Sequence, residues 1–274
     1  SSLLNLRELS LRPENYRRYE ASFRKPYGMV LVTGPTGSGK STTLYATVNE
    51  ISNPSVNVVT VEDPVEYRIA GITQVPINVR AGLSFPAALR SILRQDPDVV
   101  LVGEMRDLET AQIGTQAALT GHLVLTTLHT NDAPSAVTRL TEMGIDGFLV
   151  ASAVDCVLAQ RLGRRLCQHC REAYQPDASQ LERLGMGMDG NGAPTIYRAV
   201  GCSRCARSGY RGRLAFHEVM PVSEEIARAI VDRVSTAEIA RLARSQGMQT
   251  LREDALEKVR SGDTSLEEVA RVIV

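Results

Sequence analysis

The chain has no tryptophan, and aromatic residues make up only 4% of its 274 positions. Few π-faces are therefore available on which bases could stack. The balance of 31 basic against 31 acidic residues supplies no overall field for tracking a phosphate backbone. Nucleic acid is not an expected partner, although a local basic patch stays open. No run of 18 apolar residues occurs, so neither a membrane-spanning helix nor membrane insertion is expected. No leader pattern opens the sequence, and a soluble, cytosolic chain is the expectation. Lysine is scarce, with Lys25, Lys40 and Lys258 set against 28 arginines. A GC-rich coding bias explains this better than heat-adapted ion-pair networks, whose arginine signal varies between families.

What is present is a hydrophobic fraction of 43%, enough for one large core or a core with a smaller lobe. Within it, Gly34-Pro35-Thr36-Gly37-Ser38-Gly39-Lys40-Ser41 satisfies every fixed position of G-x-x-x-x-G-K-[ST]. Glycines at this spacing let backbone N–H groups turn inward around phosphates. The lysine reaches the β- and γ-phosphates, and the serine hydroxyl serves Mg²⁺. Residues 27–33 read as a buried strand before the loop. Residues 41–51 read as a helix after it, whose N-terminal dipole favours an anion. Residues Gly34 to Ser41, with Thr42 next to them, are the candidate contacts to a nucleoside triphosphate.

Strands are expected over 29–33, 57–61, 99–102 and 122–127, each short, β-branched and free of charge. Helices are expected over 85–94, 108–119, 133–143 and 148–161. This alternation predicts an α/β fold, a parallel sheet with helices on both faces. Residues 1–26 read as a polar, arginine-rich linker with a short helix. The Ser-Ser-Leu-Leu start suggests a piece cut from a longer protein. Residues 27–165 form the expected core and 166–218 a cysteine-bearing subdomain with a flexible loop at 185–192. Residues 219–274 are expected to be short helices, with capping boxes at Ser235/Glu238 and Ser265/Glu268.

A nucleotidase also needs acids to hold Mg²⁺ and to position water. Asp98-Val99-Val100-Leu101-Val102-Gly103-Glu104 is a buried strand ending in a carboxylate, with Gly103 where an aspartate is usual. Such a strand end lies on the ligand-binding edge of a doubly wound sheet. The alternative for Glu104 is a simple pair with Arg106. The cluster Glu62-Asp63-Pro64-Val65-Glu66 places three carboxylates within five residues. It calls for Mg²⁺, a neighbouring arginine or plain solvation. His122 and His129 bracket a β-rich run, which puts His129 near the nucleotide edge. A packing or hydrogen-bonding role is the alternative for such a histidine. Thr126, Thr127 and Thr130 are hydroxyls placed to sense a γ-phosphate.

Cys167-x₂-Cys170 and Cys202-x₂-Cys205 form two knuckles suited to tetrahedral structural Zn²⁺. Disulfide or redox pairing and inert thiols are the alternatives, and a cytosolic setting disfavours disulfides. His169 lies inside the first knuckle, but the four cysteines complete the shell. Cys156 reads as a buried core thiol on an apolar helix.

The ordered segments GPTGSGKSTTLYA, TVEDPVEY, RSILRQDPDVVLVGEMRD and TGHLVLTTLHTNDAPSAVTRL resemble the secretion ATPase superfamily over about residues 10–270. The likeness is strongest to the assembly ATPases of type IV pili and type II secretion. In that family the four segments are the Walker A, Asp-box, Walker B and His-box motifs. The resemblance implies a RecA-like P-loop core followed by a zinc-binding insert and C-terminal helices. It implies ATP, Mg²⁺ and Zn²⁺ as cofactors. Lys40 would bind phosphate and Glu104 would polarise water, with Glu62 and Glu66 near Mg²⁺ and His122 and His129 as His-box residues. It implies a homohexamer whose nucleotide lies between two lobes and near a neighbouring subunit. The preceding N-terminal lobe, which supplies arginines, is absent from this sequence. A four-cysteine insert marks assembly or export members rather than retraction ones. The function implied is the motor core for pilus extension, beside an inner-membrane platform protein, in the cytoplasm at the membrane surface. Type II export is the alternative. A non-motor nucleotide switch or scaffold ranks lower, because an intact Glu104 has little purpose in it.

Overall fold

A computed structural model describes residues 5–185 and 194–273. Leu3, Leu4 and nearly all of the expected loop at 185–192 lie outside those residues. The elements in chain order are α1 (Pro13–Phe23), β1 (Gly28–Thr33), α2 (Lys40–Ile51), β2 (Val58–Glu62), β3 (Thr73–Pro76), α3 (Phe85–Ile92), β4 (Val99–Val102), α4 (Leu108–Leu119), β5 (Leu123–Leu128), α5 (Ala133–Glu142) and α6 (Gly147–Ala153). There follow β6 (Val154–Leu166), β7 (Glu172–Tyr174), α7 (Ala178–Leu184), β8 (Ile196–Arg198), β9 (Tyr210–Pro221), α8 (Glu224–Val231), α9 (Thr236–Ser245), α10 (Leu251–Arg260) and α11 (Leu266–Val272).

A seven-stranded sheet has the order β3-β2-β4-β5-β1-β6-β9, and its pairs from β3 through β6 are parallel. Every residue of β1, β2, β4 and β5 is buried. These runs are apolar and rich in β-branched residues, with Glu62 at the end of β2 the one charge among them, and such runs suit two-sided burial. The register sets the chemistry. Thr33 pairs with Leu128 and Val102 with Thr126, while Val61 pairs with Val102. The segments leaving β1, β2, β4 and β5 therefore emerge at one edge of the sheet.

Contacts divide the chain into two compact units, Ser1–Gln160 with Glu218–Met248, and Arg161–His217 with Gln249–Val274. Helices α8 and α9 belong to the first unit, and α10 and α11 to the second. In the first, Leu6, Tyr19 and Phe23 from the expected linker segment pack into the same core as Val30, Val32, Leu44 and Leu158. In the second, the buried Lys258 donates to the Ala215 carbonyl at 2.7 Å and to Asp254 at 2.6 Å.

One expectation fails. The helix expected over 148–161 ends at Ala153, and Val154–Leu166 is a strand. The run Val154-Asp155-Cys156-Val157-Leu158 is apolar and β-branched, and periodicity alone cannot separate such a run from a buried helix. The open edge of β1 decides it, because Cys156 to Ala159 pair with Val30 to Thr33. Cys156 thus sits on a strand, fully buried, and burial pushes its thiol up to about 12. The serine caps form as expected, Ser235 Oγ accepting from Glu238 N and Ser265 Oγ from Glu268 N. No reciprocal bond closes either box among the described residues, and in the second the Glu268 carboxylate turns to Arg164 and Arg271.

Candidate active site

The phosphate loop leaves β1 at Thr33 and feeds α2. Gly34, at φ +149°, sits where a Cβ would run into the Gln160 carbonyl oxygen and lie 2.6 Å from Ser38 Oγ. Gly39 takes φ +88° as the N-cap of α2 and offers no side-chain cap. The first-turn N–H groups of α2 thus remain for an anion. Lys40 Nζ donates to the carbonyls of Gly34 at 2.8 Å and Pro35 at 3.0 Å. Burial lowers the Lys40 pKa, and the Glu104 charge opposes that shift. Ser41 is exposed and Thr42 half-buried at the first turn of α2.

Glu104 leaves β4 on the same edge. Its Oε1 lies 2.6 Å from the Arg106 guanidinium and its Oε2 lies 3.3 Å from His129 Nε2. The pairing with Arg106 is therefore real, and it coexists with a histidine contact. Gly103 leaves room where β2 approaches, since a Cβ there would meet the Val61 carbonyl at 3.3 Å and Glu62 Cα at 3.4 Å. Thr127 Oγ1 donates to the Gly103 carbonyl at 2.7 Å. Thr130 is tied to Thr33, with Oγ1 atoms 2.8 Å apart, while the Thr126 hydroxyl is buried without a partner among the described residues.

The acids after β2 differ from each other. Glu62 is buried and its carboxylate accepts from Tyr45 Oη, Thr60 Oγ1 and Gln74 Nε2. Glu66 is exposed, and its backbone N–H donates to Tyr45 Oη at 3.2 Å. Burial and the Glu62 hydrogen bond both raise the Tyr45 pKa. Tyr45 thus links Glu62 to the Glu66 backbone, a role that nothing in its sequence neighbourhood signals. His122 is not brought to this edge. It precedes β5, and its Nδ1 lies 3.1 Å from the Ala117 carbonyl. His129 follows the other end of that strand.

Sequence reasoning also passed over Gln160, a buried amide in the apolar run of β6 that contacts Ser38 and Thr43. A polar residue inside such a run was the available signal.

In the second unit, Cys167, Cys170, Cys202 and Cys205 bring all four sulfurs within 4.8 Å of one another. Three sulfur pairs lie 3.8–3.9 Å apart. A tetrahedron with Zn–S bonds of about 2.3 Å needs sulfurs about 3.8 Å apart. Gly201 N donates to Cys170 Sγ at 3.3 Å, and Cys202 N and Gly209 N donate to Cys205 Sγ at 3.2 and 3.3 Å. The N–H groups of Cys202 and Gly209 hold the Cys205 thiol down at about 6. Burial pushes the neighbouring Cys170 thiol up to about 12, so the N–H bonds favour a thiolate at Cys205 alone, and it is the spacing of the four converging sulfurs that fits a tetrahedral metal such as zinc. His169 is exposed and instead meets Arg204.

A family profile described as "Type II/IV secretion system protein" matches residues 1–271. The chain is 50% identical over all 274 residues to the type IV pilus assembly ATPase PilB of Thermus thermophilus, covering 31% of that protein. It is also 50% identical over 269 residues, 98% of the chain, to the type II secretion system protein E of Aeromonas hydrophila, covering 53% of it. The chain thus spans about a third to a half of the length of these relatives. Among solved structures, the pilus retraction motor PilT with bound ADP superposes with a TM-score of 0.68 at 26% identity, covering 99% of this chain and 67% of that one. No helix among the described residues is long and apolar enough to cross a membrane. A phosphate loop facing a strand-end glutamate, the four-cysteine cluster and these matches lead to one conclusion: the chain belongs to the type II/IV secretion system protein family of secretion and pilus-assembly ATPases.

Proposed function

We propose that this chain is the ATP-hydrolysing core of a motor that extends a type IV pilus. The observation that carries hydrolysis is the placement of Glu104. It stands on the phosphate-loop edge, close enough to oppose the burial shift of Lys40, and in contact with His129. A water between this carboxylate and a γ-phosphate would be oriented for attack, and a mere nucleotide switch has no use for that arrangement. Residues 34–42 would hold ATP, Ser41 would serve Mg²⁺, and Glu62 and Glu66 would flank the metal side. Four cysteines would hold a structural Zn²⁺. Identity along the whole of this chain to part of a pilus assembly ATPase supports extension, while an equal identity to a type II secretion system protein E supports export as the second reading.

Charge developing on the γ-phosphate calls for cations beyond Lys40. The exposed Arg106 is engaged by Glu104. We therefore assign the remaining cations to arginines of a neighbouring copy in a homohexamer and of a preceding lobe. The motor would work in the cytoplasm against an inner-membrane platform protein. The test compares ATPase rates of this chain and its full-length form across a dilution series. Equal specific activity at every concentration would replace the shared site with a self-sufficient monomer. Restoring pili or secretion in strains lacking either ATPase separates the two machines.

A further inference from the structure

We propose that Gln160 is a positioning residue for nucleotide binding, a clamp that holds the phosphate loop open for phosphates. This rests on the nucleotide-binding reading above. Gln160 lies on β6, 2% exposed, beside the loop in the first unit. Its Nε2 donates to the Ser38 carbonyl at 2.6 Å, and its Oε1 accepts from Thr43 Oγ1 at 2.6 Å. Its own carbonyl oxygen fills the space that Gly34 lacks a Cβ to occupy. One residue therefore touches the loop at its entrance, its middle and the helix that follows.

The amide's orientation is dictated by its partners. The Ser38 carbonyl can only accept, so Nε2 must face it, and Oε1 is left for the Thr43 hydroxyl. The bonds continue in one direction. Thr47 Oγ1 donates to the Thr43 carbonyl at 2.8 Å. With that proton committed, Tyr19 Oη must be the donor across the 2.7 Å contact to Thr47 Oγ1. Tyr19, Thr43 and Thr47 are all buried. A directed polar file thus runs from α1 through α2 to the amide and ends on the loop.

The consequence follows from peptide geometry. In a trans planar peptide the N–H points opposite to the C=O. Pinning the Ser38 carbonyl towards β6 aims the Gly39 N–H the other way. A loop carbonyl left free could rotate towards the anion and repel it. The clamp keeps an N–H group facing the cradle, and it does so before nucleotide arrives. Glu104 and His129 lie on segments leaving β4 and β5, outside the file. The clamp therefore acts on affinity more than on the chemical step.

The test uses Gln160→Leu, which removes both bonds, and Gln160→Glu, which keeps the acceptor but puts a carboxylate against the Ser38 carbonyl. Both are expected to raise the Kd for ADP and the KM for ATP about tenfold or more, the scale of a buried polar group losing its partners. Turnover at saturating ATP stays within about threefold of the parent, because the catalytic segments are untouched. Thr43→Val removes one bond of the amide and is expected to give a smaller rise in the same direction. It also decides the matter if neither Gln160 variant folds. Folded variants with unchanged Kd and KM, or with turnover lost at unchanged KM, overturn the clamp. A parent chain that binds neither ADP nor ATP overturns the nucleotide reading, and the clamp with it.

Discussion

His129 Nε2 lies 3.3 Å from Glu104 Oε2, although 25 residues separate the two in the chain. Parallel pairing of β4 with β5 creates this approach, because each residue is the second or first beyond its strand. Glu104→Gln should keep nucleotide binding and lose hydrolysis by on the order of a hundredfold or more, since shape survives and the charge does not. His129→Ala should lower turnover less, because Arg106 still holds the carboxylate. Single-turnover ATPase assays with ADP titrations measure both. A Glu104→Gln chain with parental turnover removes Glu104 from the water-positioning role.

Lys40 is nine-tenths buried and held by two loop carbonyls. Lys40→Ala removes the nearest cation from the β- and γ-phosphates and the group that fastens the loop entrance. ADP affinity should fall at least about a hundredfold, the scale of losing a charge-assisted contact at a partly desolvated site. Calorimetric titration measures it, and parental affinity would contradict the role.

The four-cysteine cluster should carry about one Zn²⁺ per chain. Cys202→Ser or strong chelation should loosen Arg161–His217 and Gln249–Val274 before the nucleotide-binding unit, since metal binding free energy is folding free energy there. Elemental analysis and amide hydrogen exchange give the two readouts. Freshly reduced protein without metal, and protection unchanged by Cys202→Ser, would oppose a structural ion.

His217 is fully buried, and neither ring nitrogen has a hydrogen-bond partner among the described residues. Burial, and secondarily the Lys258 charge, hold its pKa well below 6.5. The unfolded chain takes up a proton near pH 6.5 and the folded chain does not. Stability is therefore complete above about pH 6.5 and declines below it, by up to about 1.4 kcal/mol per pH unit from this group. His217→Phe should remove that share of the slope in denaturant titrations between pH 7.5 and 5. Identical slopes in parent and variant would show that His217 is not its source.

The sequence by itself determined the elements whose logic is local. The phosphate loop needs only its glycines, lysine and serine in order. The strands at β1, β2, β4 and β5 announce themselves by β-branched runs free of charge as far as Val61 in β2 and throughout the other three. The paired C-x-x-C knuckles converge because each is a short turn that presents two sulfurs together. The ends of these four strands were legible to within a residue, so the edge carrying Glu104 and His129 was foreseeable.

What tertiary structure decided depends on partners distant in sequence. The segment from Val154 became a strand because β1 offered an unpaired edge, a preference absent from its own periodicity. Glu62 and Glu66 look alike in sequence. Only packing gave Glu62 the donors Tyr45, Thr60 and Gln74 and left Glu66 exposed. His122 and His129 share one short motif, yet a strand of 3.3 Å rise per residue carries them to opposite edges. Gln160 was hidden for the same reason, since its significance lies in the carbonyl and hydroxyl it meets across the fold. Local spacing specifies which groups are available, and the register of non-local strand pairs specifies which of them meet.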